Sequence, residues 1–348
     1  MTSPFWRRFA LVCMTVGSLR TTGLGEAPKQ INASRVIRFA EHALIGRPPV
    51  VTAVGITPDA KTLVTAGDDD IVRLFSLSDG QLQAELKGHT DWIRSLAIGP
   101  NGQTLYTAGD DHRIRRWNLA TGQALADVDR LDHAIYAIAL SADGTLLAAV
   151  GFDRELRVYE TASGKLRHRL ICPARDVRAV AFSPDGKQIA AGGRSGAIGV
   201  WQTADGSAIR QIDAHRQRIR SLAYSPDATQ LMSAAEDGFV RCFDAQTGQR
   251  TVELACKPAK VMAALFLSTD SIATAGSDNR ILIWDVKTRE PVLELAGHTG
   301  SIAALACDRS GQVLVSGSYD TTAQVFHLTS PTSGENTTRR DDDDAARR

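Results

Sequence analysis

An all-β architecture, a ring of seven four-stranded antiparallel blades, is what this sequence predicts, and three spacings predict it. Turn-forming tetrapeptides recur every 42 residues: Thr57-Pro58-Asp59-Ala60, Gly99-Pro100-Asn101-Gly102, Ser141-Ala142-Asp143-Gly144, Ser183-Pro184-Asp185-Gly186 and Ser225-Pro226-Asp227-Ala228. An aromatic series, Phe75, Trp117, Tyr159, Trp201, Phe243, Trp284 and Phe326, keeps that step except for one interval of 41, which shortens the sixth unit around Leu267-Ser268-Thr269-Asp270. A glycine series, Gly80, Gly122, Gly164, Gly206 and Gly248, marks a further turn and lapses at Arg289. Proline at the second turn position followed by Asp or Asn pre-sets a tight reversal, so consecutive strands pair as antiparallel neighbours.

In chain order, residues 1–30 come first. Arg7-Arg8 precedes an apolar stretch from Phe9 to Leu19 and then small and polar residues to Ala27, the order of a secretory signal, with a disordered leader as the alternative. The surroundings of Arg7-Arg8 and of Cys13 match neither a twin-arginine nor a lipidation pattern. Ser34 to Leu44 alternates like a strand. The units follow, each with four short strands; in unit two these are Ile93–Ile98, Thr104–Ala108, Arg113–Trp117 and Ala124–Val128. Unit seven ends at Phe326-His327-Leu328 without a fourth strand, so the segment before unit one is expected to fill that place and close the ring, removing exposed sheet edges. Residues 329–348 hold almost no large apolar side chain and end in four aspartates between arginine pairs, a disordered polar tail whose charges are solvated. The organisation is thus 1–30 leader, 31–328 ring and 329–348 tail.

A single four-stranded sheet of this size cannot bury both faces, whereas seven packed around an axis bury nearly all of them. At this point the residues resemble the WD-repeat β-propeller family, whose repeat carries Gly-His, a Ser or Thr, an Asp in a tight turn and a terminal Trp-Asp. Unit two has Gly88-His89, Thr107, Asp111 and Trp117; unit five has His215, Ser233 and Asp237; unit six has Thr274, Asp278 and Trp284-Asp285; unit seven has Gly297-His298, Ser316 and Asp320. Arg47, Leu131, Pro173 and Lys257 occupy the His slot elsewhere, and Ser195 replaces the turn Asp of unit four. The resemblance implies a seven-bladed β-propeller in which these residues form a buried structural network. A His, a hydroxyl and an Asp are also the components of a nucleophile triad, but a triad needs an open cavity and oxyanion donors.

The resemblance further implies that a partner binds on one rim, through side chains near the start of each inner strand and just before the turn Asp. Those positions hold Trp92, Arg94, Asp110, Tyr136, Phe152, Asp176, Arg178, Arg194, Arg218, Arg220, Glu236, Lys260, Met262 and Tyr319. Trp, Tyr and Arg dominate interface energetics because they join large contact area to directional polar groups. In the competing arrangement Trp92 and Phe152 pack on neighbouring loops and the arginines pair with adjacent carboxylates. The cluster Arg178, Arg194, Arg218 and Arg220 suits an acidic peptide first, then a phosphate, then a nucleic-acid strand.

Composition narrows the function. The 348 residues are 43% hydrophobic, which suffices for a large core, and 40 basic against 39 acidic residues leave no global field to capture nucleic acid or a membrane. No apolar run reaches the roughly 20 residues of a membrane span. The cysteines at 13, 172, 242, 256 and 307 form no CxxC and no ligand-spaced cluster, and no phosphate loop or GxSxG elbow is present. The expectation is a monomeric, non-catalytic scaffold for a protein or peptide, without cofactor or metal, exported to the periplasm or beyond. An exported propeller enzyme, either a hydrolase or a cofactor-dependent dehydrogenase, and a cytoplasmic assembly platform are the alternatives.

Overall fold

The computed structural model describes residues 28–39 and 46–328; most of the expected leader and all of the expected tail lie outside them. Among the described residues every regular element is a β-strand, and the strands form seven sheets. Blade one shows the pattern: Val51–Ile56, Thr62–Gly67, Ile71–Ser76 and Leu82–Lys87 pair successively antiparallel. The inner strands of the following blades are Ile93–Ile98, Ile135–Leu140, Val177–Phe182, Ile219–Tyr224, Val261–Ser268 and Ile302–Cys307. Each touches the inner strands of both neighbours, and that of blade seven returns to blade one, which makes the chain a closed seven-bladed propeller.

The core is divided among the blade interfaces. Seven clusters of buried side chains sit one between each adjacent pair, such as Ala53, Val64, Leu74 and Leu86 of blade one with Ile93, Leu105 and Trp117 of blade two. The second strands are buried nearly throughout, Leu146–Gly151 completely, because they face a neighbouring blade on either side. Apolar side chains on both faces of these strands follow from that position.

The recurring turns have a backbone requirement. Gly102, Gly144 and Gly186 take positive φ in the turn after the inner strand, and Ala60 and Ala228 are held at φ 54° and 59° in the same slot. Arg289, where the later glycine series lapses, is likewise at φ 62°. The turn geometry persists where glycine does not, at the steric cost of a Cβ in the left-handed region.

Two features concern the ends of the ring. Arg35–Arg38 pairs antiparallel with Thr322–His327 and supplies the fourth strand of blade seven. From that strand Arg35 donates to the carbonyls of Leu77 and Ser78 at 2.7 Å each, and Phe39 packs edge-on against Phe75 at 5.6 Å, so the closing strand also grips blade one. Just before it, Lys29–Asn32 pairs in parallel with Pro291–Ala296 and gives blade six a fifth strand. The residues expected to end the leader, Lys29 and Gln30, therefore belong to this strand.

The outer strand of blade two departs from expectation. Ala124–Val128 was to form it, but regular pairing is confined to Asp129–Arg130, with one isolated bridge between Ala124 and Trp117. Ala and Asp disfavour strands, and Asp127 is drawn to Arg113 at 2.8 Å, so the segment keeps only scattered bonds, from Leu125 to the Arg116 carbonyl and from Val128 to that of Ile114.

Candidate functional site

Two sets of polar residues matter, one buried within blades and one around the central channel. In blade two the His89 Nδ1 lies 2.7 Å from Asp111 Oδ2 and Nε2 lies 2.7 Å from Thr107 Oγ1, which also accepts the Trp117 indole N–H at 2.8 Å. With Nδ1 donating to the carboxylate, Nε2 accepts from the threonine hydroxyl, so every polar atom of the imidazole is used. Blade five repeats this with His215, Asp237 at 3.0 Å and Ser233 at 2.8 Å, and blade seven with His298, Asp320 at 2.8 Å and Ser316 at 2.7 Å. The order carboxylate, imidazole, hydroxyl is that of a nucleophile triad, but Thr107, Ser233 and Ser316 are each 0% exposed, and no substrate carbonyl reaches a hydroxyl sealed in this way.

The carboxylates of these networks titrate abnormally low. Burial alone pushes Asp111 up, but the His89 hydrogen bond and charge and the backbone N–H groups of Arg113 and Thr90 outweigh it. Asp237 is lowered against its burial by the charge of His215 and by bonds from Arg241 and His215. Asp320 is lowered furthest, against its burial, by bonds from His298 and Thr322. His215 itself is pushed down by burial in spite of Asp237, which keeps its imidazole neutral.

Where the pattern lapses, other residues serve. In blade one Arg47 pairs with the buried Asp68, while Arg73 holds Asp69 at 2.7 Å. In blade three the Tyr159 hydroxyl donates to Asp129 at 2.6 Å. Blade six retains the bond from the Trp284 indole to Thr274 at 2.9 Å, but Lys257 turns away and lies 4.5 Å over the Phe239 ring, leaving Asp278 beside Cys256 and Arg280. Arg241, which bonds Asp237 at 2.9 Å, joins the blade-five network and was invisible to the motif, although its place four residues after the turn Asp repeats in Arg73 and Arg157.

The second set lies on the face that carries the Asp turns. The second residue of each inner strand points into the channel, and together Thr52, Arg94, Tyr136, Arg178, Arg220, Met262 and Ala303, with Tyr319, line a cavity of about 100 Å³. Arg94, Tyr136, Arg178, Arg220, Met262 and Tyr319 are thus brought together. Thr52 and Ala303 complete the ring and were missed, although stepping 42 residues back from Arg94 and 41 forward from Met262 finds them.

Ion pairs hold this mouth in shape. Asp110 accepts Arg94 Nε at 3.0 Å on both oxygens, and the Arg94 guanidinium lies 4.3 Å over the Trp92 ring. Asp176 accepts Arg178 at 2.7 Å on one oxygen and Arg218 at 2.6 Å on the other, while Arg178 also lies 3.4 Å over Tyr136. Glu236 sits 3.4 Å from Arg218 and 3.6 Å from Arg220. Most arginines therefore pair with neighbouring carboxylates, the arrangement that competes with a free cationic patch. Phe152, 63% exposed, does not pack into the mouth, and Arg194 and Lys260 are exposed outside it.

Two larger grooves, of about 440 and 400 Å³, open on the opposite face between blades seven and one and between blades one and two. They are wedges between diverging blades, lined by turn residues such as Lys61, Ser78, Pro58 and Asn101 and by strand residues such as Ser76 and Gln83. The smaller channel mouth has the denser chemistry. Among the described residues no group of three or more His, Cys, Asp or Glu is placed to hold a metal ion, and no helix is long and apolar enough to cross a membrane.

Residues 50–270 match the family described as IFT122 first beta-propeller, and residues 289–327 match the WD domain, G-beta repeat. A stretch of 71 residues is 41% identical to the U3 snoRNP-associated protein-like EMB2271 of Arabidopsis thaliana, covering 20% of this chain and 15% of that protein. Another of 61 residues is 39% identical to WD repeat-containing protein 41 of Mus musculus, covering 16% and 13%. A third of 59 residues is 36% identical to the probable coatomer subunit beta' of Schizosaccharomyces pombe, covering 17% and 7%. The matches thus span 15% or less of these relatives' length.

Proposed function

Since this chain belongs to the WD-repeat β-propeller family, we propose that it is a non-catalytic scaffold that binds a protein or peptide on the face around its channel mouth. Propellers of this family mediate protein interactions and are generally scaffolds without catalytic activity. One observation carries the assignment of the face: Arg94, Tyr136, Arg178, Arg220, Met262 and Tyr319 converge at one opening, with Trp92 and the exposed Phe152 on the same rim. Such side chains, gathered and half-buried, are the material of binding hot spots. The His, hydroxyl and Asp sets are enclosed and saturated, which favours a structural role over hydrolysis.

Site-specific photo-crosslinking in the native cell tests the face. A photoreactive residue at Phe152 should yield partner adducts, whereas one at Leu82, exposed on the outer strand of blade one, should not. Adducts from Leu82 alone would move the interaction to the circumference and overturn the proposal. The order of Arg7-Arg8, apolar stretch and small residues supports export to the periplasm or beyond as part of the same proposal, and N-terminal sequencing of the mature protein tests it: an intact Met1 would return the scaffold to the cytoplasm.

A further inference from the structure

We propose that the channel mouth is a receptor for a single carboxylate, the side chain of a glutamate or aspartate on the partner protein, seated against Arg178 and Arg220. The proposal rests on the reading of this rim as the binding face and names the chemistry recognised at its centre.

The charges around the mouth do not balance. Four guanidiniums, Arg94, Arg178, Arg218 and Arg220, face three carboxylates, Asp110, Asp176 and Glu236. Asp110 is consumed by Arg94 on both oxygens, and Asp176 is consumed by Arg178 on one and Arg218 on the other. That leaves Glu236, whose Oε1 divides itself between Arg218 at 3.4 Å and Arg220 at 3.6 Å. The Arg220 contact is beyond hydrogen-bond length for N–H···O. Its side chain is nevertheless only 22% exposed. Burial first, and then the charge of Arg178, hold the Arg220 guanidinium below its ordinary value despite Glu236 and Tyr319, the behaviour of a cation that its shared carboxylate only partly compensates.

The surplus is one positive charge, which a monoanion neutralises and a phosphate dianion exceeds. Planar guanidinium edges pair well with a planar carboxylate. The face of Arg178 is already stacked on Tyr136, which fixes the plane of the guanidinium. Space agrees: the cavity of about 100 Å³ admits a carboxylate head. Met262 and Ala303 supply apolar wall for the methylene stem. The mouth opens at the centre of a rim that exposes Phe152 and Tyr319, so the rest of the ligand has surface to lie on, which favours a protein-borne carboxylate over a free anion.

The test titrates the full chain with N-acetyl-glutamate amide, N-acetyl-glutamine amide and inorganic phosphate, following the arginine Nε–H resonances by NMR. The glutamate probe should shift Arg178 and Arg220 saturably, and the glutamine probe should bind at least about tenfold more weakly. Arg220→Ala should weaken the glutamate probe by about tenfold or more, and Arg220→Gln, which keeps the length of the side chain, should do the same. Lys187→Ala, on the opposite face, should leave it unchanged. Equal binding of the two amides, wild-type affinity in Arg220→Gln, or tighter binding of phosphate than of the glutamate probe would overturn the proposal, the last in favour of a phosphate site. A failed titration beside positive crosslinking at Phe152 would remove the carboxylate receptor and leave the scaffold; a positive titration without rim adducts would do the reverse.

Discussion

Thr107 shows what one residue does in this ring. Its hydroxyl donates to His89 and accepts from Trp117, so its removal strands an imidazole nitrogen and an indole N–H in a sealed interior. Thr107→Ala should lower stability by about 1–3 kcal/mol, measured by urea denaturation, while Ser195→Ala, in the exposed turn of blade four, should change little. The titrating members set a pH dependence. Asp111, Asp237 and Asp320 have folded values below the unfolded ~3.9, so the stability they contribute is present above about pH 4 and lost as pH falls through their folded values. His215 is also lowered; below about pH 6.5 the unfolded chain takes up its proton before the folded one does, and stability declines there too. Urea unfolding should therefore give a plateau above about pH 7 and a decline in two stages below it. Equal stability at pH 7.5 and 5.5 would contradict the role given to His215.

At the level of elements, the two N-terminal strands differ in consequence. Lys29–Asn32 is mostly exposed and adds an edge to a blade that already has four strands. Arg35–Arg38 buries Ile37 to 6% exposure, completes blade seven and reaches blade one through Arg35 and Phe39. Deleting residues 31–45 should yield a protein that aggregates or melts well below the full chain, because an open ring exposes the unpaired edge of Thr322–His327. Deleting only residues 28–32 should have the smaller effect, and thermal unfolding of the two truncations distinguishes them. The closing strand was legible because blade seven visibly lacked one and Ser34–Leu44 alternated. The parallel strand beside it was not, since four residues with a single large apolar side chain, Ile31, carry no periodic signal. The outer strand of blade two was overread for the converse reason: alternation at Ala124–Val128 is outweighed by the pull of Asp127 toward Arg113.

For the molecule as a whole, closure distributes the core over seven interfaces, and each interface depends on the two beside it. The cysteines report on that dependence. Burial pushes the thiols of Cys172, Cys242 and Cys256 up to about 12 and that of Cys307 to about 11, so none offers thiolate near neutral pH. Cys242 and Cys307 stand in strands of blades five and seven, and Cys172 and Cys256 in the equivalent connections just after the outer strands of blades three and five. In a Cys13→Ser chain, native protein should react negligibly with a thiol reagent, and all four thiols should become reactive over one denaturant range, as expected when the ring unfolds as a unit. Early release of Cys307 alone would indicate that blade seven opens independently.

The 42-residue spacing by itself determined the number of blades, their four-strand pattern and the hydroxyl, histidine and aspartate sets inside them, because turn chemistry and alternation act between residues close in the chain. The channel mouth was only partly legible: its positions followed from the repeat, but the partition of carboxylates among arginines did not. Arg178 and Arg218 are 40 residues apart and meet on Asp176 only because blades four and five pack side by side. Which guanidinium is left short of a counter-charge is decided by distances of a few tenths of an ångström across blade interfaces, and those exist only once the ring has closed.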